Sequence, residues 1–498
     1  MPSNFLTEHR QRFTEFQSQF NLDQYLFYAG QKARLETSSL ESEFSDLCSL
    51  STITELRQES EAASRETDRA SLKLLIAIAC HAQINSKVRD LTQEIAEDEA
   101  HASIVWEGET ISFQTSATLL QNEPNPIRRH DLAVRRAEVF KALQDLRAER
   151  LEKVHEKAKE LGAENYQTLY HNLRGIDYEK LATQLQSFLT QTESRFSSTL
   201  STSLLREAHV TLNEAMQADI PFFRQLARFT KFFPAWQLKP AHRETFSGLG
   251  ILTYQQSNLV IDDEQRPGKH VKGFHFPIRV PDEIKVLVTP QDGARSYSSF
   301  LHENGHAQQF AWTSRHLYPE FQYGGDGAVR EVFGLLFAGL LSDPRWLGDL
   351  LSYHESEEFL HLLAVQKLLL LRRFAARLMY EIELHKGQLA GAAGTRYAEL
   401  LTDAVRVRYD ETEHLRDVED GLVVADLLRA AAFEAQLREQ LKTKFGSRWW
   451  TSRKAGDYLI DLWNTGGRYQ AEEMAKMIDL GELSFDWLAE ECLANLQA

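Results

Sequence analysis

The apolar residues of this chain recur with the period of an α-helix over most of its length. In residues 67–82 they fall at positions i, i+3, i+4 and i+7, as Leu72, Leu75, Ile76 and Ala79. Residues 131–150 carry a second stripe of this kind, formed by Leu132, Val139, Leu143 and Leu146. Because such residues share one face of a helix, both segments predict amphipathic helices. The period returns at Ser296 and continues to the C-terminus, so we expect a mainly α fold.

Two stretches interrupt the helical period. The segment ASIVWEGETISFQ alternates apolar and polar residues on either side of Glu107 and Gly108, which predicts a short β-hairpin. After about Phe246, glycines, prolines and β-branched residues become frequent, and we predict a small sheet. Its strands are expected near residues 258–261, 274–280 and 284–289. This change predicts an N-terminal helical lobe, residues 1–245, followed by a second lobe, residues 246–498.

Composition and charge narrow the classes of function. The 498 residues are 43% hydrophobic and 26% charged, as in a globular protein large enough to bury a substrate cavity. The formal net charge is −16, and the chain has no compensating run of Lys and Arg. Nucleic acids and anionic membranes are therefore not expected as partners.

Targeting signals and cysteine content point to the cytoplasm. The stretch MPSNFLTEHRQRF lacks the basic flank and apolar segment of a signal peptide, and the apolar run VFGLLFAGLL is too short to span a bilayer. Cys48, Cys80 and Cys492 are far apart and odd in number, which favours reduced thiols. We therefore expect a cytoplasmic protein in which any metal is bound by His and carboxylate ligands.

The stretch FLHENGHAQQF, residues 300–310, carries the main chemical signal. Residues four apart on an α-helix project from nearly the same face, so His302 and His306 could bind one zinc ion through two imidazole nitrogens. Glu303 lies one step around the helix, where a general base could reach a water held by the metal. Chance would produce fewer than about 0.1 such matches in a chain of this length.

A catalytic zinc ion needs a third protein ligand and an open fourth position. The metzincin pattern is excluded, because Gln309 and Trp312 occupy the positions where it requires Gly and His. Glu331, at the start of the apolar helical stretch in GGDGAVREVFGLLFAGLL, is the ligand we expect. Glu320 and Asp326 are alternatives, although Glu320 follows a proline and Asp326 lies between glycines.

Several features together resemble the thimet oligopeptidase and oligoendopeptidase F group of zinc peptidases. They are the HENGH helix, the 25-residue gap to a helical Glu, the strands in FHFPIRVPDEIKVLV and the closing segment FGSRWWTSRKAGDYLIDLWNTGGRY. The resemblance extends roughly from Gln265 to the C-terminus, and the glycine at position 305 makes the motif more specific than a bare HEXXH. It implies two helical lobes flanking a deep channel, with a small β-sheet next to the motif helix and zinc on the channel floor. Such a channel would admit short peptides and exclude folded proteins.

The resemblance also implies roles for individual residues. His302, His306 and Glu331 would hold one zinc ion per chain, and Glu303 would be the general base in hydrolysis of the peptide bond. The thermolysin-like pattern, in which an Asp follows the Glu ligand by four residues, is not met, because Leu335 stands there.

Hydrolysis also needs hydrogen-bond donors to the oxyanion, the peptide oxygen that becomes negatively charged, and these residues are less well defined. The family usually places tyrosines and a histidine in its C-terminal helical segment, but this chain has no Tyr between Tyr409 and Tyr458. Tyr409, His414 and Arg429 are the candidate hydrogen-bond donors, each with the alternative of an ordinary structural side chain.

Other residues near the motif have open interpretations. Residues 323–327 form a glycine-rich loop that either closes over substrate or is a plain turn between helices. The strand at residues 284–289 either is an edge that pairs with an extended peptide or is purely structural. Lone histidines such as His270, His275 and His316 are more often structural than ligands.

The function expected from these features is a zinc-dependent oligopeptidase that cleaves internal bonds of short unstructured peptides. A zinc carboxypeptidase of the Taq type is the alternative enzyme, and a basic pocket for the C-terminal carboxylate would mark it. A catalytically silent zinc protein that binds peptides is the alternative outside enzymes. Glu303 argues against the silent protein, because a structural zinc site needs no base beside its ligands.

Overall fold

The computed structural model describes residues 3–389 and 391–496, and it is mainly α-helical as predicted. In these residues the helices are α1 (Asn4–Tyr28), α2 (Thr37–Glu43), α3 (Leu50–Ala62), α4 (Glu66–His101), α5 (Phe113–Asn122), α6 (Pro126–Ala142), α7 (Gln144–Glu160), α8 (Tyr166–Arg174), α9 (Tyr178–Ala208), α10 (Asp219–Phe223), α11 (Ala235–Gly248), α12 (Ala294–Trp312), α13 (Pro319–Tyr323), α14 (Gly327–Ala338), α15 (Pro344–Leu351), α16 (Glu357–His385), α17 (Ala393–Val405), α18 (Val424–Phe445), α19 (Arg453–Trp463), α20 (Ala471–Met477) and α21 (Phe485–Asn495). The strands are β1 (Ser103–Trp106), β2 (Glu109–Ser112), β3 (Leu259–Asp262), β4 (Phe274–Arg279) and β5 (Glu283–Leu287). Among the helices of these ranges, none is long and apolar enough to cross a lipid bilayer.

The chain packs into two compact units, and each unit is assembled from separate segments. Unit 1 comprises the N-terminal segment to Ala79, Ala227–Leu360 and Arg429–Leu488, and unit 2 comprises Cys80–Leu226, His361–Leu428 and the C-terminal segment from Ala489. These units do not coincide with the boundary expected at residue 245. The N-terminal helix α1 packs on β4 within unit 1, which is a contact that composition along the chain does not reveal.

The predicted hairpin is present in unit 2. β1 pairs with β2 in antiparallel orientation, with Trp106 opposite Glu109. The two residues between the strands, Glu107 and Gly108, both have positive φ angles, as in a type I′ hairpin turn.

The apolar stripe of residues 131–150 belongs to two helices. α6 ends at Ala142 and α7 begins at Gln144, and Leu143 between them leaves the helical conformation with φ −98° and ψ 5°. Leu143 is itself buried, so the apolar period continues across the break and the sequence carries no signal of it.

The predicted three-stranded sheet is in unit 1 and has the order β3-β5-β4. β5 pairs with β3 in parallel and with β4 in antiparallel orientation. The interpretation of residues 284–289 as an edge strand is therefore wrong, because both sides of β5 are already hydrogen-bonded. The edge strands of this sheet are β3 and β4.

The two faces of β4 contact different helices. Phe274, Phe276 and Ile278 pack toward α1, where Tyr28 stacks on Phe274 with ring centroids 4.7 Å apart. His275 points to the opposite face because side chains alternate along a strand, and it packs against α12. The sheet thus lies against the helix that carries the HENGH motif.

Candidate metal centre

His302 and His306 lie one turn apart on α12, with their Nε2 atoms 3.0 Å apart. The two rings are nearly perpendicular, at 83°. Tetrahedral zinc with bonds of about 2.0–2.1 Å to two imidazoles requires the nitrogens to be about 3.3 Å apart, a few tenths of an ångström more than observed. The helix therefore presents both nitrogens to one point.

Glu331 brings the third ligand atom from α14. Its Oε2 lies 3.6 Å from Nε2 of His302, and its Oε1 lies 3.9 Å from Nε2 of His306. One ligand atom from each of the three side chains lies within 4.8 Å of the others. Two imidazoles and one carboxylate are a donor set found in catalytic zinc sites. The residues present thus fit a zinc ion.

Two glycines allow α14 to approach α12 so closely. A Cβ atom added to Gly305 would lie 2.3 Å from the carbonyl oxygen of Phe333 on α14. A Cβ atom added to Gly334 would lie 2.6–2.8 Å from atoms of the His302 and His306 rings. Both distances are too short for real contacts. The glycine inside the HENGH motif and a second one in α14 are therefore what permits this distance between the helices.

The three side chains differ in exposure. The side chain of His306 is 4% exposed, whereas those of His302 and Glu331 are 25% and 28% exposed. Burial lowers the pKa of His306 well below its ordinary value, and the neighbouring His275 and His302 lower it further. A neutral imidazole is the form that binds metals. Solvent reaches the cluster from the side of His302 and Glu331.

The carboxylate of Glu303, the expected general base, accepts a hydrogen bond from a residue of the sheet. Nδ1 of His275 on β4 donates a hydrogen bond to Oε2 of Glu303 at 2.7 Å. The His275 ring also packs on His306, with centroids 4.6 Å apart. The alternation of apolar and polar residues in GFHFPI could have placed His275 on the polar face of the strand, but nothing in the sequence indicated what that face meets.

The motif helix is anchored on its buried side by Asn304. Nε2 of His242, on α11, donates to Oδ1 of Asn304 at 2.8 Å, and Nδ2 of Asn304 donates to the carbonyl of Phe300. Burial lowers the pKa of His242 to about 4. This pair, in which His242 is neutral, links α11 to the buried side of α12, and sequence analysis did not identify it.

The alternative ligands Glu320 and Asp326 have other partners. Glu320 is fully buried and forms an ion pair with Arg10 at 2.8 Å. Asp326 is the N-cap of α14, and its oxygens accept hydrogen bonds from Arg429 at 2.9 and 2.7 Å. Arg429 also donates to Glu472 at 2.8 Å. Arg429, considered above as an oxyanion donor, thus has a structural role, because it ties the start of α14 to α20.

The glycine-rich loop before α14 is a packed turn. A Cβ atom added to Gly325 would lie 2.4 Å from the Cα atom of Gly467, and Gly467 N donates to the carbonyl of Phe321 at 2.7 Å. The backbone contact of the loop favours the interpretation as a turn between helices over one as a mobile cover.

Tyr409 and His414 lie in unit 2, and both have partners there. Tyr409 Oη accepts a hydrogen bond from Arg373 Nε at 3.2 Å, and burial raises the pKa of Tyr409 to about 12. Nδ1 of His414 donates to the carbonyl of Glu411 at 2.8 Å, and burial lowers the pKa of His414. Their role as donors to an oxyanion stays a prediction.

Comparison with known proteins gives matches at the level of structure. No family model and no curated protein matches the sequence. The structure is similar to that of a protein from Bacillus anthracis str. Ames assigned as an oligoendopeptidase F, with a TM-score of 0.58 and 13% sequence identity over 99% of this chain and 85% of that one. A second structure assigned as an oligoendopeptidase F gives a TM-score of 0.67 and 15% identity over 98% of this chain and 90% of that one. Over nearly its whole length, the chain therefore has the fold of the oligoendopeptidase F structures.

Proposed function

We propose that this protein is a zinc-dependent peptidase that hydrolyses internal bonds of short unstructured peptides. The observation that carries the proposal is the convergence of His302, His306 and Glu331, with Glu303 on the same helix as the two histidines. The shared fold with structures assigned as oligoendopeptidase F supports it. A restrictive channel over the cluster, which would limit substrates to short peptides, is part of the proposal.

Each polar residue of the site has a distinct task in the proposed reaction. Zinc held by the two histidines and Glu331 would polarise the peptide carbonyl and lower the pKa of water. Glu303 accepts a proton from the attacking water and delivers it to the leaving amine. Tyr409 and His414 are the proposed donors of hydrogen bonds to the oxygen on which negative charge develops.

Cleavage of an internally quenched peptide of about ten residues tests the proposed function. We expect zinc-loaded protein to cut the peptide at an internal bond, a chelator to stop the reaction, and a folded protein to survive. Mass spectrometry of the products identifies the bond that is cut. Stepwise loss of C-terminal residues would instead support a carboxypeptidase. No cleavage of a diverse peptide pool by fully zinc-loaded protein would support a silent peptide-binding protein, and digestion of a folded protein would contradict a restrictive channel.

A further inference from the structure

We infer that His275 is a positioning residue for the general base: it fixes the carboxylate of Glu303 in the orientation that proton transfer requires. This inference rests on the proposed function, because it assigns Glu303 a catalytic role. It adds a residue from the neighbouring sheet to a site that the sequence pattern confines to two helices.

The contact between His275 and Glu303 is short and directional. Nδ1 of His275 lies 2.7 Å from Oε2 of Glu303, the distance of a strong hydrogen bond to a carboxylate. Because only one of the two carboxylate oxygens receives this bond, it sets the rotation of the carboxylate without covering both oxygens. The side chain of Glu303 is 17% exposed, so burial alone does not immobilise it.

His275 is itself held rigidly. It lies on β4 opposite Val286 of β5, so its backbone is part of the sheet. Its ring stacks on Phe310 at a centroid distance of 5.7 Å and packs on His306 at 4.6 Å. Glu303, His306 and Phe310 lie at positions i, i+3 and i+7 of α12, so one imidazole ring covers a single face of this helix. A donor fixed in this way can restrain the carboxylate that it contacts.

The residue two positions earlier supports the same arrangement. A Cβ atom added to Gly273 would lie 3.3 Å from Cγ of Glu303 and 3.1 Å from Oγ of Ser299. Gly273 and His275 thus border Glu303 from the same strand segment, one by leaving space for its stem and the other by binding its carboxylate. Glu303 is therefore contacted at two positions by the residues around the start of β4.

The physical benefit is preorganisation. A glutamate has three side-chain dihedral angles, and a base that samples several rotamers is in reactive geometry only part of the time. A second residue that locks the base therefore raises turnover without contacting substrate.

Two nearly isosteric variants separate the hydrogen bond from packing. His275→Asn and His275→Leu both remove the ring that packs on His306 and Phe310, but the Asn amide keeps a donor near the position of Nδ1. We expect zinc content and KM to stay near wild type in both. We expect kcat to fall about 10- to 100-fold in His275→Leu and to be largely recovered in His275→Asn. In a Glu303→Gln background, the difference between Asn and Leu should disappear.

A measurement without turnover tests the contact directly. Long-range proton–nitrogen NMR spectra of zinc-free protein labelled at the histidine rings distinguish an Nδ1–H from an Nε2–H tautomer. We expect His275, identified by the signal that His275→Asn removes, to be in the Nδ1–H form and to shift in Glu303→Ala. The control is His270→Asn, which changes a histidine outside the site. The ring of His270 packs against Tyr28 and Phe274.

Three outcomes overturn the inference. Equal kcat values for His275→Asn and His275→Leu would show that the hydrogen bond does not position the base. Loss of zinc in His275→Leu would show that the ring supports the metal site, through its packing on His306, rather than the base alone. An unchanged His275 signal in Glu303→Ala would exclude the contact itself. If zinc-loaded wild-type protein hydrolyses no peptide, the proposed function is wrong, and so is the proposed effect of His275 on turnover. The NMR result would still test the contact between His275 and Glu303 separately.

Discussion

Two clusters of ionisable side chains in this protein differ in how their groups are combined. In unit 1, His302, His306 and Glu331 turn three electron-pair donors to one point. In unit 2, helix α16 and its neighbours pair each acid with a base: Arg373 donates to Asp417 at 2.7 and 2.6 Å, and Arg377 donates to Glu381 at 2.9 Å.

The difference is that between a proposed metal site and a structural network of ion pairs. Opposite charges in contact, as in Arg373 and Asp417, offset each other's desolvation, so the α16 cluster needs no bound cation. Three electron-pair donors turned to one point are an arrangement that can bind a metal ion, so the unit 1 cluster is the proposed metal site. The following predictions test this comparison, from the largest expected effect to the smallest.

Removal of one metal ligand should have the largest effect. We expect about one zinc ion per chain in the wild type and almost complete loss of both zinc and peptidase activity in His302→Ala or His306→Ala, because each variant removes one of three protein ligands. Glu331→Ala should weaken zinc retention similarly. Elemental analysis after dialysis measures the zinc content. His316→Ala, at an exposed position, is the matched control. Stoichiometric zinc in any of the three ligand variants would contradict the assignment of that residue.

Replacement of the base should separate chemistry from metal binding. Glu303→Gln keeps the shape of the side chain but cannot accept a proton, so we expect turnover to fall about 100-fold or more with zinc still bound. Steady-state kinetics and zinc analysis on the same sample measure both quantities. Wild-type turnover in this variant would place the hydrolytic centre elsewhere.

Because α12 and α14 pack closely at Gly334, we expect a larger side chain at this position to destabilise the protein. In Gly334→Ala the new methyl group would meet the His302 and His306 rings, and we expect a loss of about 1–3 kcal/mol in stability together with reduced zinc affinity. Gly446→Ala is the control: Gly446 has a φ of 92° and no atom near its added Cβ, so we expect a cost of about 1 kcal/mol from backbone strain and unchanged zinc content. Equal zinc contents in the two variants would argue against the glycine contact as a determinant of the site.

The α16 cluster should make the stability of the protein depend on pH. Burial raises the pKa of Glu381 to about 8 from 4.5, although Arg377 opposes the shift. Between these two pH values the folded protein holds a proton that the unfolded chain has lost, so this group makes stability decline as pH rises. Glu381→Gln stays neutral, and we expect its Tm to be close to that of the wild type near pH 5 and a few °C higher at pH 8.

An exposed carboxylate in the same unit is the control for that series. The Glu399 side chain is 60% exposed, and Glu399→Gln should show the same small difference from wild type at both pH values. A constant Tm difference for Glu381→Gln as well would mean that Glu381 is ionised in the folded protein across this range.

Local geometry explains what could be predicted from the sequence. The i, i+4 spacing alone brings His302 and His306 to one face of α12, because helix geometry depends only on nearby backbone. The rise in glycines, prolines and β-branched residues after about Phe246 likewise predicted strands close to those observed, such as residues 258–261 for Leu259–Asp262. The hairpin at Glu107 and Gly108 was predicted by the alternation of apolar and polar residues on either side of it.

Packing between elements that are distant in the chain decided the features that local sequence patterns did not predict. Which carboxylate faces the histidines depends on α14 lying against α12 through Gly305 and Gly334, and no local pattern encodes the pairing of two helices. The central place of β5 and the contact of His275 with Glu303 depend on strand order and on the face of the sheet that α12 covers. The sequence thus determined the two histidines and the base, because they share one helix. Glu331 was expected from its place at the start of the next apolar helix, but only the tertiary structure brought its carboxylate to the two histidines and His275 to Glu303, because these side chains come from elements far apart in the chain.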